Sequence, residues 1–428
     1  MSETTGTAAA PAAAPAKPKR PKAKSLIMCG EQSAALLENA RLAKERGEMV
    51  GWSTSIFPQE IAEALGLNIL YPENYSAGIA ARKQADPYLQ EAEGPLNYNN
   101  DLCSYAKINL AYAEALHEGG SMVMPDFLCV TNNICNQVTK WFENLSKKLN
   151  IPLFLIDTVY NAEDYVTESR VKYIRAQLDK YIKDLCAYTG KTWDEDKFRE
   201  VMEISAVNKD LWIRANEALA VKPAPLNGFE LFNYMSTMVC NRGKRSTTEI
   251  LTQLNNEIDE HIKNGTSTYP VEEKYRIFWD GIACWPWLGH NLRVLKQYGV
   301  NMVASGYVKA WALDYETNDL DGMARAYNWC PANNNNMSTF IRRRVEAVQQ
   351  FQCDGMIYHV NRSCKVMDCQ QIEAQRQIEA ITGVPYTTFD GDQSDYRNYS
   401  EAQYETRIQG LVEVMEANKK AKEAKVNG

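Results

Sequence analysis

Two cysteines occupy equivalent places in a pattern that occurs twice along the chain. Cys135 lies in TNNICNQ (131–137) and Cys364 lies in VNRSCKV (360–366), and both belong to an Asn-x-x-Cys turn. A thiol in such a turn is a metal ligand, a nucleophile or a small buried side chain. Because the whole turn is repeated, the two cysteines are candidates for the same chemistry.

A third cysteine, Cys103, is predicted in the first turn of a helix over 101–116, with Asp101 as its N-cap. The helix dipole and the free backbone N–H groups would favour a thiolate there. Three thiolates from distant positions could hold zinc or an iron–sulfur cluster, and Cys369 is the nearest candidate for a fourth. Three cysteine ligands on a four-iron cluster would leave one iron open, as a Lewis acid as well as an electron carrier.

The elements around the two repeated turns predict how they are positioned. Each turn follows an apolar run and precedes a helix-like segment, and a proline then introduces a second apolar run. The four runs are PDFLCV (125–130), IPLFLID (151–157), CDGMIYHV (353–360) and VPYTTFD (384–390). Such runs are typical of buried parallel strands. Both cysteines should therefore lie at the carboxyl ends of strands, where open parallel sheets bind ligands.

A βαβ unit precedes the first turn and supplies two further candidates. EMVGWSTS (48–55) reads as a strand, PQEIAEALG (58–66) as a helix and LNILYPE (67–73) as the next strand. Ser55 and Glu73 fall at the carboxyl ends of these strands. The alternatives are a helix cap for Ser55 and a solvated loop charge for Glu73.

The α/β pattern stops at 162 and resumes at 274, where RIFWDGIACW (276–285) and VNMVASGY (300–307) echo the first βαβ unit. Long segments of 3.6-residue period fill the interval. The predicted fold is α/β, with two Rossmann-like parallel-sheet domains related by internal duplication and a helical insert between them. The predicted boundaries are a disordered Ala/Pro/Lys tail over 1–25, a first Rossmann-like domain over 26–161, a helical domain over 162–270, and a second Rossmann-like domain with a C-terminal helix over 271–428.

Composition excludes several classes of function. A net charge of −7 gives no reason to expect nucleic acid or a membrane as a partner. No apolar run is long enough to span a bilayer and no signal-peptide pattern is present. Eleven scattered cysteines without a Cys-x-x-Cys pair suit a reducing cytoplasm. Neither a dinucleotide fingerprint nor a P-loop occurs. The sequence therefore predicts a soluble cytoplasmic protein.

Six separated segments carry a resemblance to a known family. They are VGWSTSIFPQEIAEALGLNILYPEN, DLCSYA, NNICNQVTKWFENLSKKLNIPLFLID, KYRIFWDGIACWP, YHVNRSCK and FDGDQSDYRNYSEAQYETRIQGLVEVME. In this order, from about residue 38 to 418, they resemble the larger, alpha-type subunit of the 2-hydroxyacyl-CoA dehydratases. These lyases are oxygen-sensitive enzymes of amino-acid-fermenting anaerobes, and they eliminate water from a 2-hydroxyacyl-CoA to give a 2-enoyl-CoA.

The resemblance implies cofactors, partners and site residues. The cysteines of DLC, NNIC and NRSC correspond to cluster ligands, which here are Cys103, Cys135 and Cys364. They would hold one 4Fe-4S cluster with one open iron. Ser55 and Glu73 carry over as substrate-binding and catalytic residues. The expected partners are a smaller homologous beta subunit with its own 4Fe-4S cluster and an ATP-hydrolysing iron–sulfur activator protein.

The reaction explains why a cluster is needed. The thioester carbonyl does not acidify the β-hydrogen, and a general base supplies only about 10²–10⁴ in rate. One electron added to the carbonyl gives a ketyl radical anion that expels the α-hydroxyl, and the resulting enoxy radical has a far more acidic β-hydrogen. Losing that proton yields a second ketyl, which returns the electron as the 2-enoyl-CoA is released. Iron–sulfur potentials reach down to about −700 mV, low enough for such a reductant.

Two alternatives remain open from the sequence. An activator-dependent acyl-CoA reductase of the same superfamily would use a similar cluster but would consume electrons and ATP in every turnover. A structural zinc or scaffold protein would use the cysteines without catalysis.

Overall fold

The computed structural model describes residues 22–330 and 334–426. The first α/β segment comprises α1 (Lys24–Glu45), β1 (Val50–Ser53), α2 (Gln59–Ala64), β2 (Asn68–Leu70), α3 (Pro72–Ala81), α4 (Asp86–Glu93), α5 (Ser104–Ala111), β3 (Phe127–Thr131), α6 (Asn136–Leu149) and β4 (Leu153–Ile156). The helical segment comprises α7 (Glu168–Thr189), α8 (Glu195–Glu217), α9 (Leu231–Asn241) and α10 (Arg245–Asn264). The second α/β segment comprises β5 (Tyr275–Asp280), α11 (Leu288–Gln297), β6 (Val300–Ser305), α12 (Gly306–Lys309), α13 (Leu320–Asn328), α14 (Met337–Gln350), β7 (Gly355–Asn361), α15 (Lys365–Thr382), β8 (Tyr386–Gly391) and α16 (Glu401–Val426).

Within the described ranges the strands form two four-stranded sheets, and every pair of neighbouring strands is parallel. The strand order is β2-β1-β3-β4 in the first sheet and β6-β5-β7-β8 in the second. If the strands are numbered separately within each sheet, both orders are 2-1-3-4. This confirms the predicted α/β fold with two parallel sheets separated by helices.

Apolar side chains cover both faces of the first sheet, as a parallel sheet requires. On β3, Leu128 and Val130 join one core with Trp52 and Trp141, while Phe127 and Cys129 face a larger core. That larger core continues through the helical segment to the second sheet. In the part of the chain that the structure describes, no helix has the length and apolar character needed to cross a membrane.

Helix α9 is an element that the sequence analysis did not identify. It follows the turn KPAPLNG (222–228), and its apolar residues recur at the spacing of a helix face. Helix α1 packs beside it, since the hydroxyls of Ser25 and Tyr234 lie 2.7 Å apart. The predicted tail covers residues 1–25, and residues 1–21 of it lie outside the described residues. Helix α1 begins at Lys24.

Candidate functional site

A cavity of about 490 Å³ lies where the carboxyl ends of the two sheets face helix α9. Its walls include all five residues that the sequence analysis singled out. They are Ser55, Glu73, Cys103, Cys135 and Cys364. Four of the five lie two to four residues after the end of a strand, after β1, β2, β3 and β7. The structure therefore brings together residues that lie up to 309 positions apart in the sequence (364 − 55).

Each of the three cysteines occupies the position just before a helix. Cys103 precedes α5, Cys135 precedes α6 and Cys364 precedes α15. The expectation that Cys103 lies inside the helix with Asp101 as its cap is wrong, because α5 begins at Ser104 and Cys103 is itself the N-cap residue. Unpaired backbone N–H groups of a first helical turn consequently lie beside each sulfur.

Burial dominates the electrostatics of these thiols. It raises the pKa of Cys103 to about 12 and that of Cys135 to about 11, although N–H groups of the following helical turn oppose the shift. Burial also raises the pKa of Cys364, and the neighbouring sulfurs of Cys103 and Cys135 raise it further. A bound cation would oppose these shifts, because it favours the thiolate form.

The three cysteines are candidate ligands of a cluster of several irons. Among residues 22–330 and 334–426, no three His, Cys, Asp or Glu side chains converge as they would around a single metal ion. An iron–sulfur cluster needs a wider arrangement, because each cysteine binds a different iron. Three half-buried cysteines from separate loops line the wall of one cavity, which fits that requirement.

Ser55 and Glu73 form a hydrogen-bonded pair on the cavity wall. The backbone N–H and the hydroxyl of Ser55 donate to Oε2 of Glu73 at 2.5 and 2.7 Å. Burial raises the pKa of the Glu73 carboxyl, and the two Ser55 donors partly oppose this. Both bonds end on Oε2, so Ser55 does not occupy Oε1. Neither alternative describes this pair, because Pro58 is the N-cap residue of α2 and Glu73 is a half-buried residue in the first turn of α3.

Aromatic side chains form much of the remaining wall, and the sequence analysis missed them. The indole Nε1 of Trp285 donates to the hydroxyl of Tyr105 at 2.5 Å, and Tyr307 follows β6 at the same edge of the second sheet. Phe232 and Met235 come from α9. Tyr307 lies two residues after β6 and Glu73 lies three residues after β2, so the internal repeat could have pointed to this loop.

A buried ion pair holds the loop that carries Ser55. Glu60 on α2 and Arg242 at the end of α9 are both fully buried, with Arg242 Nε 3.1 Å from Glu60 Oε1. Hydroxyls of Ser205, Tyr315 and Tyr327 also donate to Glu60 at 2.7 Å. Burial would raise the pKa of Glu60, but Arg242 and these hydroxyls outweigh it and hold the pKa below its ordinary value.

We expect Arg242→Met to destabilise the protein strongly. It would leave the Glu60 carboxylate buried without its cation, which costs about 3–5 kcal/mol. Arg245→Met is the matched control, because Arg245 forms an exposed pair with Glu200 that is worth at most about 1 kcal/mol. Thermal unfolding of both variants measures the difference. Equal shifts in melting temperature would show that the buried pair does not stabilise the fold.

The chain is similar in sequence to known proteins over most of its length. A family model described as 2-hydroxyglutaryl-CoA dehydratase, D-component, matches residues 54–415. The chain is 50% identical to the (R)-2-hydroxyisocaproyl-CoA dehydratase alpha subunit of Clostridioides difficile, over 93% of this chain and 98% of the relative. It is 47% identical to the (R)-phenyllactyl-CoA dehydratase alpha subunit of Clostridium sporogenes, over 89% and 92%. It is 38% identical to the alpha subunit of (R)-2-hydroxyglutaryl-CoA dehydratase of Acidaminococcus fermentans, over 89% and 95%.

Proposed function

The chain belongs to the 2-hydroxyacyl-CoA dehydratase family as an alpha subunit, and from that premise we propose that its cavity dehydrates 2-hydroxyacyl-CoA thioesters with an apolar acyl group. The observation that carries this proposal is the meeting of three cysteines, a serine and a glutamate on one cavity wall. The serine and glutamate lie at the carboxyl ends of strands of the first sheet, and the cysteines come from both α/β segments. The substrate would therefore be held between the two sheets.

Membership of the family implies an iron–sulfur cluster, and Cys103, Cys135 and Cys364 are its proposed ligands. When bound, a 4Fe-4S cluster with three cysteine ligands supplies an open Lewis-acidic iron and a strong one-electron reductant. The first-turn N–H groups of α5, α6 and α15 favour negative charge at the three sulfurs.

Ser55 and Glu73 are the proposed substrate-binding and catalytic residues. Ser55 orients Glu73 by donating twice to Oε2, so that Oε1 is not committed to Ser55. A carboxylate whose pKa burial raises is a stronger base than one in water, which suits proton abstraction from the substrate. We assign the β-proton to Glu73, and to Ser55 a hydrogen bond near the thioester or the α-hydroxyl.

The charges on the cavity wall support an apolar acyl group. Among the described residues that line it, the arginines are Arg82 and Arg344. The guanidinium of Arg344 is held by Asp280 at 2.5 and 3.0 Å, and Arg82 is exposed and donates to Gln84. A carboxylate at the far end of an acyl group would find no uncommitted buried cation there, and it would also face Glu73. The aromatic wall would hold a branched aliphatic or aromatic group.

An anaerobic assay of the alpha–beta complex with its activator and ATP would test the acyl preference. We expect kcat/KM for 2-hydroxyisocaproyl-CoA or phenyllactyl-CoA to exceed that for 2-hydroxyglutaryl-CoA by a factor on the order of 10²–10³, because burying an unpaired charge costs several kcal/mol. Lactoyl-CoA is the control for size, since it is apolar but small. Preference for 2-hydroxyglutaryl-CoA would overturn the apolar assignment and leave the dehydratase proposal standing.

The alpha-subunit relationship implies a beta subunit as the partner. We further propose that an ATP-hydrolysing iron–sulfur activator supplies the electron that starts the reaction. Counting ATP per product tests this step: a dehydratase recycles its electron and needs ATP only to start, whereas an acyl-CoA reductase needs it in every turnover. ATP consumption in proportion to product would favour the reductase.

A further inference from the structure

The side chain of Gln393 contacts one of the proposed cluster ligands. It lies two residues after the end of β8, and only 1% of it is exposed. Its amide Nε2 donates to the sulfur of Cys103 at 3.0 Å. This contact crosses between the two α/β segments, because Cys103 precedes α5 and Gln393 follows the last strand.

The surrounding hydrogen bonds fix which end of the Gln393 amide faces the sulfur. The backbone N–H of Gln393 can only donate, and it donates to Oδ1 of Asn361 at 3.4 Å. This places Nδ2 of Asn361 on the other side, where it donates to Oε1 of Gln393 at 2.6 Å. The remaining end of the Gln393 amide is Nε2, so a donor is directed at Cys103.

The first sheet repeats this pairing, which indicates that it is a feature of the fold. Asn132 opens the first Asn-x-x-Cys turn as Asn361 opens the second. Its Oδ1 accepts from the backbone N–H of Thr158 at 2.7 Å, and its Nδ2 donates to Asp157. Each asparagine thus links a cysteine turn to the loop after the next strand. In the second sheet that loop carries a glutamine within reach of a cluster ligand.

We propose that Gln393 raises the reduction potential of the alpha-subunit cluster by donating a hydrogen bond to the sulfur of Cys103, and that Asn361 positions it. This inference rests on the proposed iron–sulfur function. Hydrogen bonds to the sulfurs are among the factors that set the potential of such a cluster. A donor stabilises the reduced state more than the oxidised state, because the reduced cluster places more negative charge on its sulfurs. The low dielectric of a buried site strengthens the effect.

Redox titration of the reconstituted alpha–beta complex, followed by electron paramagnetic resonance, would measure this potential. We expect Gln393→Met to shift the alpha-cluster potential in the negative direction, because methionine has a similar size but no donor. Gln393→Glu should shift it further, because a carboxylate beside the sulfur adds negative charge. The matched control is Gln375→Met, at a buried glutamine of α15 that lies eleven residues beyond Cys364 (375 − 364). It should leave the potential unchanged.

A double-variant cycle tests the positioning role of Asn361. Asn361→Asp cannot donate to Gln393, so the glutamine amide should turn and direct its oxygen at Cys103. Its effect should then depend on Gln393, and the shifts of Asn361→Asp and Gln393→Met should not add. Additive shifts would overturn the positioning role.

Iron analysis separates this inference from the function on which it rests. A wild-type complex without iron would contradict the proposed function itself. Equal potentials for Gln393→Met and Gln375→Met, with iron retained in both, would overturn the role of Gln393. Loss of iron from both Gln393 variants but not from Gln375→Met would also overturn it, because Gln393 would then hold the cluster in place of tuning it.

Discussion

Replacing Cys135 with alanine should abolish dehydratase activity and remove the iron of the alpha-subunit cluster at the same time. Cys103→Ala and Cys364→Ala should do the same. A cluster held by only three cysteines loses a third of its protein ligands in each variant. Alanine has no side-chain atom that can bind the vacated iron. Iron analysis and the visible spectrum of anaerobically purified complex measure the loss.

Cys369→Ala is the matched control for this series. Cys369 follows Cys364 by five residues on α15, but its side chain is exposed. Iron content and activity should both be retained. If one of the three cavity cysteines could be replaced while the full iron content remained, that residue would not be a ligand. If all three could, the cavity would not be the cluster site.

Glu73→Gln should lower kcat by a factor on the order of 10²–10⁴ while iron is retained, which is the range that a positioned general base supplies. Glutamine keeps the size of the side chain and can still accept from Ser55, but it cannot take a proton. Ser55→Ala should have a smaller effect on kcat. It removes one donor to Glu73, so the pKa of Glu73 should rise and the acidic limb of kcat/KM should move to higher pH. A pH–rate profile of each variant measures these effects.

Protein stability is the control that separates catalysis from folding at this position. Burial raises the pKa of Glu73, so the folded protein binds this proton more tightly than the unfolded chain does. The contribution of Glu73 to the free energy of unfolding therefore falls as the pH rises through the raised pKa. Glu73→Gln removes that cost, and its melting temperature at neutral pH should equal or exceed that of the wild type. An inactive variant with a clearly lower melting temperature would point to misfolding.

The repeated cysteine turns made much of the fold predictable. Apolar runs before Cys135 and Cys364, and proline-led runs after their helices, correspond to β3, β4, β7 and β8. These signals are local, because a buried parallel strand is apolar along its whole length. The βαβ pattern placed Ser55 and Glu73 at the carboxyl ends of strands, and only the family resemblance distinguished them from a helix cap and a surface charge. The structure places both on the cavity wall.

Contacts between distant parts of the chain could not be predicted in the same way. The pairing of Glu60 with Arg242 joins residues 182 positions apart, and Gln393 meets Cys103 across 290. Neither contact produces a periodic pattern in the sequence, because each depends on how the helices and sheets pack. The start of α5 was predicted wrongly for a local reason. Aspartate is a common N-cap residue, so Asp101 was chosen, but the helix begins at Ser104. A cysteine at that N-cap is what the site requires.

We propose that three cysteines of this chain hold a four-iron cluster whose remaining iron is open to the substrate. Mössbauer spectroscopy tests it most directly, with ⁵⁷Fe placed in the alpha subunit before the complex is assembled. We predict that adding a 2-hydroxyacyl-CoA changes the environment of one iron and leaves the other three as they were. A spectrum in which all four irons are unchanged while the complex dehydrates the same thioester would contradict the account.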